Sequence, residues 1–138
     1  MPADNHNNDN NHPAATTIVT RSADGSAGDV NYGAVGATYA AYRRPEPRIA
    51  TLIEQALGGA ATTVLNVGAG AGSYEPTGRT VTALEPSQSM REQRPAHLPP
   101  AVDGVAEHLP FADGAFDAAM STFSLHQWSD VEAGLREM

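Results

Sequence analysis

Apolar positions follow two periods along this chain, and nearly all of them lie beyond residue 45. Ile49, Leu52, Ile53, Ala56 and Leu57 recur at helical spacing. They predict a helix over Pro45 to Leu57, with Pro47 in the first turn, where its missing N–H is not needed. Gly58-Gly59 ends it. Thr62 to Val67 is a nearly continuous β-branched and apolar run, the pattern of a strand covered on both faces. Arg79 to Glu85 is a second such run and ends in a carboxylate. Ser87 is placed to cap a short helix through Met90 and Arg94, which Pro95 stops. Pro99 to Val105 reads as a weak third strand, Phe111 to Gly114 as a turn, and Phe116 to Phe123 as a fourth strand. Ser129 or Asp130 then caps a last helix in which Val131, Leu135 and Met138 share a face. Strands alternating with helical segments predict an α/β fold with a parallel sheet and right-handed crossovers. No internal repeat is visible.

The first part of the chain has no such pattern. Residues 1–12 are mostly Asn, Asp and His, with almost nothing to bury, so ordering them would lose entropy without return. Thr16 to Thr20 reads as a short strand or as no element. Ala23 to Gly36 is rich in Gly, Ser, Ala and Asp and reads as a linker. The expected division is a disordered tail and linker over 1–36 and a folded domain over 37–138. The 138 residues carry a net charge of −8, no cysteine and no lysine, all eight basic residues being arginine. The acidic balance argues against a nucleic-acid reader, which needs a basic stripe to displace phosphate counterions. No apolar stretch approaches the ~20 residues of a membrane span. No secretory signal follows Met1, and a cytoplasmic address is expected by default. The absence of cysteine excludes disulfides, thiol catalysis and cysteine-based zinc sites.

Gly68, Gly70 and Gly72 directly follow the first strand. Glycine there lets the backbone turn tightly and approach a ligand, and free N–H groups opening a following helix would favour an anion. The second strand ends at Glu85, where doubly wound folds place an acid that accepts hydrogen bonds from ribose hydroxyls. Strand, glycine loop, strand and terminal acid together predict a nucleoside-containing ligand. The dinucleotide pattern G-x-G-x-x-G/A is not met, since its third small position falls on Ser73 or Glu75. A P-loop is excluded because the chain has no lysine. The part of the ligand at the loop is expected to be small and zwitterionic rather than a diphosphate.

Val64 to Gly72, Val81 to Ser87, Ala106 to Asp117 and Leu125 to Trp128 resemble, in this order, four signatures of class I S-adenosylmethionine-dependent methyltransferases, in the subgroup called methyltransferase type 11. The third block, A-E-x-L-P-F-x-D-x-x-F-D, is the most specific. The resemblance covers Tyr39 to Met138. It implies a Rossmann-like, doubly wound and mostly parallel sheet, with S-adenosyl-L-methionine as the cofactor and a small-molecule methyl acceptor. By this resemblance Gly68, Ala69, Gly70 and Gly72 pass under the methionine part of the cofactor, Glu85 binds both ribose hydroxyls, and Pro86 lies against the adenine. Ala106 and Glu107 flank the adenine edge, while Ser121 and Thr122 face the methionine moiety and the transferred methyl. Tyr39, Tyr42 and Arg43 fall where such enzymes carry a lid. The tyrosines read equally as packing residues, and Arg43 with Arg44 as a solvated face.

Two positions depart from the family pattern. Asn66 stands where an acid is usual, and an amide cannot neutralise the cofactor's ammonium. Val105 stands where Asp is common, which leaves only backbone contacts for the adenine amino group. The segment from Gly72 to Val81 is short and contains Pro76 and Gly78, so the helix after the loop is expected to be stunted. Methyl transfer needs orientation more than acid–base chemistry. Where the acceptor must lose a proton, His126 after the fourth strand is the expected base, the alternative being a packing residue beside Trp128. His97 and His108 read as surface residues, and Asp113 and Asp117 as turn and strand-start residues. No metal site is expected.

The family sheet has seven strands, and this chain stops after the fourth, which is central in the family. The fourth strand is then expected to leave an apolar edge open to pairing or self-association. Either the chain is a fragment of a longer product or a partner covers that edge. A methyltransferase or its cofactor-binding half is the leading expectation. A non-catalytic or truncated nucleoside-binding module and an NAD(P)-dependent oxidoreductase are the others.

Overall fold

The computed structural model describes residues 16–35 and 44–138. Its central strand is β1 (Thr63–Val67), whose β-branched and apolar residues favour extended backbone and are buried from Val64 to Val67. β2 (Thr80–Leu84) and β3 (Ala118–Met120) flank it in the order β2-β1-β3, and both pairings are parallel. Thr63 to Val67 register with Thr80 to Leu84 on one side, and Val64 to Asn66 with Ala118 to Met120 on the other. Leu65, Val67, Leu84 and Ala106 form the buried core on one face, with Leu109, Phe111, Phe116, Ala119 and Trp128 packed against them. The α/β class and the parallel sheet are as the alternation of strands and helices predicted.

Four helices accompany the sheet among the described residues: α1 (Tyr32–Val35), α2 (Pro47–Leu57), α3 (Gln88–Glu92) and α4 (Val131–Glu137). Their starts are fixed by local chemistry. The Glu46 carboxylate accepts from the Ile49 N–H at 3.3 Å and caps α2. The Ser87 hydroxyl accepts from the Met90 N–H at 3.2 Å and caps α3. For α4 the cap is Asp130 rather than Ser129, accepting from the Ala133 N–H at 2.9 Å.

Several expected features come out differently. The third strand reduces to one bridge to the sheet, with Val102 donating to Ala83 O and accepting from the Glu85 N–H, and a local bridge between Val105 and His108. The fourth strand shrinks to three residues. At its start the exposed Asp117 carboxylate accepts from the Thr62 and Thr63 N–H groups and the Thr62 hydroxyl. At its end Phe123 adopts a φ of 55° and turns the chain out of the sheet. The apolar faces of α2 and α4 are covered only in part. No residue of α2 is buried and Leu52 is 62% exposed; in α4 only Gly134 is buried, against Trp128 and Ala106, while Leu135 stays exposed.

The connection between β1 and β2 contains no helix, which takes the expected stunting to its limit. A buried ion pair stands there instead. Arg94 Nη2 donates to Glu75 Oε2 at 2.9 Å, and its Nη1 lies 2.8 Å from Glu75 Oε1. That second contact is ionic, since Nη1 has no well-directed hydrogen bond. The stretch expected to be a linker also has tertiary contacts. Arg21 bridges to Ala27, donates to Pro86 O at 2.8 Å and pairs with Asp103, while Ser26 and Ala27 are buried. No helix among the described residues is long and apolar enough to cross a membrane.

Candidate functional site

The C-terminal ends of the parallel strands converge on one cavity of about 950 Å³, open mouth included. Crevices at this end of a parallel sheet are where open α/β folds bind ligands. Residues Gly68 to Ala71 follow β1, Glu85 and Pro86 follow β2, Gly104 to Glu107 lie on the next segment, and Thr122 to Ser124 follow β3; all of them line it.

The glycine loop is held by its neighbour strand. The N–H groups of Gly68 and Ala69 both donate to Leu84 O at 2.9 Å, and that of Gly70 to Glu85 Oε2 at 2.7 Å. Gly68 and Gly70 have φ values of 69° and 55°, which only glycine adopts without strain, and a Cβ on Gly68 would collide with the Ser124 side chain. The loop therefore does not offer these N–H groups to an anion, contrary to expectation, and no helix follows to add its dipole. What it offers is a backbone surface without side chains.

Glu85 is buried at the centre of this arrangement. Its Oε1 accepts from the Ser87 N–H at 2.9 Å and its Oε2 from the Gly70 N–H. Burial pushes its carboxyl above the usual range, opposed by the two N–H groups and by the positive charges of Arg91 and Arg94. A carboxylate has about four lone-pair directions. With one used on each oxygen, one remains on each for a further donor.

Of the residues singled out from sequence, Gly68, Ala69, Gly70, Glu85, Pro86, Ala106, Glu107 and Thr122 are brought together around the cavity. Glu107 also holds the start of α4, its Oε1 accepting from the Asp130 N–H at 3.0 Å. Ser121 is turned into the fold, donating to Val67 O at 2.9 Å and contacting Ser124 Oγ at 2.6 Å. Gly72 packs against Leu98 and Arg94, behind the cavity lining. Asn66 is also behind it, donating to Glu75 Oε1 at 3.3 Å with its own Oδ1 buried and unpartnered. His126 is exposed on the 3-10 turn Leu125–Gln127, whose tight winding directs the neighbouring Gln127 inward instead. Tyr39, Tyr42 and Arg43 lie outside the described residues.

Sequence reasoning missed Ser26, Ala27 and Tyr32, which line the cavity from a stretch whose composition resembles a linker. It also missed the aromatic side. Tyr74 and Phe123 meet at 5.7 Å between centroids beside Gln127 and Trp128. The only signal for these was proximity to the loop and to the fourth strand. No cluster of acidic or histidine side chains that could hold a metal occurs among the described residues.

The cavity lining suits a nucleoside-bearing group. A buried carboxylate has two lone-pair directions left for sugar hydroxyls, Pro86, Met90, Val105 and Ala106 supply apolar surface for a flat base, and the bare loop accepts a close approach. Residues 65–138 match the family described as methyltransferase domain. The chain is 39% identical over 87 residues to a demethylmenaquinone methyltransferase of Mycolicibacterium vanbaalenii, covering 63% of this chain and 35% of that protein. It is 37% identical over 97 residues to a malonyl-(acyl-carrier protein) O-methyltransferase of Erwinia pyrifoliae, covering 63% and 36%. Among solved structures, an Anabaena variabilis protein provisionally named a methyltransferase from an antibiotic biosynthesis pathway superposes with a TM-score of 0.64 at 31% identity, over 70% of this chain and 41% of that one. A SAM-dependent methyltransferase from Thermotoga maritima gives 0.53 at 28%, over 60% and 40%. The chain spans little more than a third of the length of the two curated relatives. Because the match takes in more than half of the chain and solved methyltransferases share its parallel sheet, the chain belongs to the S-adenosylmethionine-dependent methyltransferase-domain family, type 11.

Proposed function

We propose that this chain binds S-adenosyl-L-methionine and serves methyl transfer to a small-molecule acceptor. The observation that carries this reading is Glu85, a buried carboxylate aimed into the cavity and tied to the glycine loop, with one lone-pair direction left on each oxygen for the two ribose hydroxyls. The cofactor, when bound, supplies an electrophilic sulfonium methyl group. The chain's own residues do the remaining work. The loop from Gly68 to Ala71 leaves space for the methionine end, Pro86 and Val105 flank the base, and Thr122 with Phe123 borders the side from which an acceptor approaches. Holding both reactants in line lowers the barrier by fixing orientation in advance. His126 is exposed outside the cavity, so the reading assigns it no proton transfer.

The expected result of a calorimetric titration is binding of S-adenosylhomocysteine and no binding of NAD. Glu85→Ala weakens S-adenosylhomocysteine at least tenfold, about the loss of one charge-assisted contact, and His126→Ala leaves it unchanged. NAD binding, or equal affinity in Glu85→Ala, overturns the reading.

A second reading, cofactor binding without catalysis, is favoured by the engagement of both cavity carboxylates, Glu85 and Glu107, with backbone N–H groups. Slow hydrolysis or transfer of a labelled methyl group to added acceptors separates the two readings.

A further inference from the structure

The sequence between Arg21 and Tyr32 has the composition of a linker, yet it holds a connected group of side-chain hydrogen bonds beside the cavity. Asp24 is its hub. Oδ1 accepts from the Ser22 hydroxyl at 2.6 Å and the Ser26 N–H at 3.0 Å; Oδ2 accepts from the Ser26 and Ser87 hydroxyls, both at 2.8 Å. Burial alone would raise the Asp24 carboxyl, but the hydrogen bonds from Ser22, Ser26 and Ser87 outweigh it and hold it far below the usual range. The backbone joins in, with the Gln88 N–H donating to Asp24 O at 2.7 Å.

The segment reaches both sides of the cavity. On the β2 side Arg21 donates to Pro86 O. On the far side Gly28 packs against Gln127, and the Val30 N–H donates to Gln127 Oε1 at 3.4 Å. Between these anchors Ser26, 2% exposed, and Ala27 line the cavity.

Ser87 makes this more than a packing contact. It is fully buried, and its hydroxyl has one proton, which it donates to Asp24. Its oxygen then accepts from the Met90 N–H, and its own N–H donates to Glu85 Oε1. Glu85 Oε2 accepts in turn from Gly70. An unbroken series of hydrogen bonds runs from Asp24 through Ser87 and Glu85 to the glycine loop.

We infer that residues 21–32 form a fixed wall of the cofactor cavity and that Asp24 is its positioning residue, orienting Ser87 and, through it, the Glu85 carboxylate. Asp24 does not line the cavity; it acts through Glu85, which does. This rests on the cofactor reading above.

The test uses the full chain and S-adenosylhomocysteine as probe. Calorimetry is run on the unaltered protein, Asp24→Asn, Glu85→Gln and the double variant. Asp24→Asn keeps the shape but presents donors to the Ser26 and Ser87 hydroxyls, reversing the polarity of the network. It is expected to weaken binding roughly five- to tenfold. In the double variant the two losses fall short of multiplying by at least threefold, because both act through one carboxylate. Independently of any variant, the probe is expected to slow amide hydrogen exchange at Ser26 and Ala27 in the unaltered chain. If the unaltered protein fails to bind the probe, the cofactor reading itself falls, and this inference with it. If it binds while Asp24→Asn binds equally well, or the two losses multiply in full, or exchange at Ser26 and Ala27 does not change, the positioning role alone is overturned.

Discussion

At the scale of single residues two positions matter most, Glu85 in the cavity and Asn66 behind it. Burial raises the Glu85 carboxyl above its ordinary 4.5. In the window above 4.5 the folded chain therefore holds a proton that the unfolded chain has released. Its contribution to stability is complete below 4.5 and is lost as pH rises through the folded value. Under the proposed reading the sign for ligand binding is opposite, since the ionised carboxylate is the stronger acceptor for a ribose hydroxyl. Affinity for S-adenosylhomocysteine is expected to fall as pH drops from neutral through that raised value, and Glu85→Gln is expected to remove this dependence in calorimetry. Asn66 has a different logic. The family pattern places an acid there, but here the amide lies 3.3 Å from the buried Glu75 carboxylate. Asn66→Asp would set two carboxylates against each other and remove the amide donor, with an expected loss of about 1–3 kcal/mol. A melting temperature equal to that of the unaltered protein would show that the amide is not required.

At the scale of elements the Glu75–Arg94 pair occupies the place of a crossover helix. Both side chains are almost fully buried, at 2% and 3% exposure. Removing one partner leaves an uncompensated buried charge, so Glu75→Gln is expected to lower the unfolding free energy by roughly 3–5 kcal/mol in chemical denaturation. The start of β3 depends on Asp117, whose carboxyl is lowered from 3.8 to about 2, chiefly by the Thr63 N–H and then by Thr62. A depressed carboxyl stabilises the fold above 3.8, and that contribution disappears as pH falls through about 2. Asp117→Asn is therefore expected to lower the melting temperature at neutral pH and to make little difference near the acid end. Strand and helix starts of this kind were legible in the sequence, because a cap or a β-branched run acts over a few neighbouring residues. The end of the fourth strand and the extent of the third were not, since the Phe123 turn and the single sheet bridge at Val102 depend on contacts with distant segments.

At the scale of the whole molecule, the outer edge of β3 has no strand partner among the described residues, and Leu52 of α2 with Val131 and Leu135 of α4 is exposed, surface that other chains can meet. Concentration-dependent growth in apparent mass is the expected result of light scattering coupled to gel filtration, and a mass fixed at one chain across a wide concentration range would contradict it. The sequence by itself determined the parallel α/β plan, the bare loop after the first strand and the acid at the end of the second. Each is written in a run of residues short enough for periodicity and backbone preference to decide. Only the tertiary structure decided what those groups meet. Asp24 finds Ser87 across 63 positions of sequence, the loop N–H groups spend themselves on Leu84 and Glu85, Glu107 turns to the start of α4, and His126 faces solvent. A hydrogen-bond partner far along the chain is set by how the layers pack, and no local pattern records it.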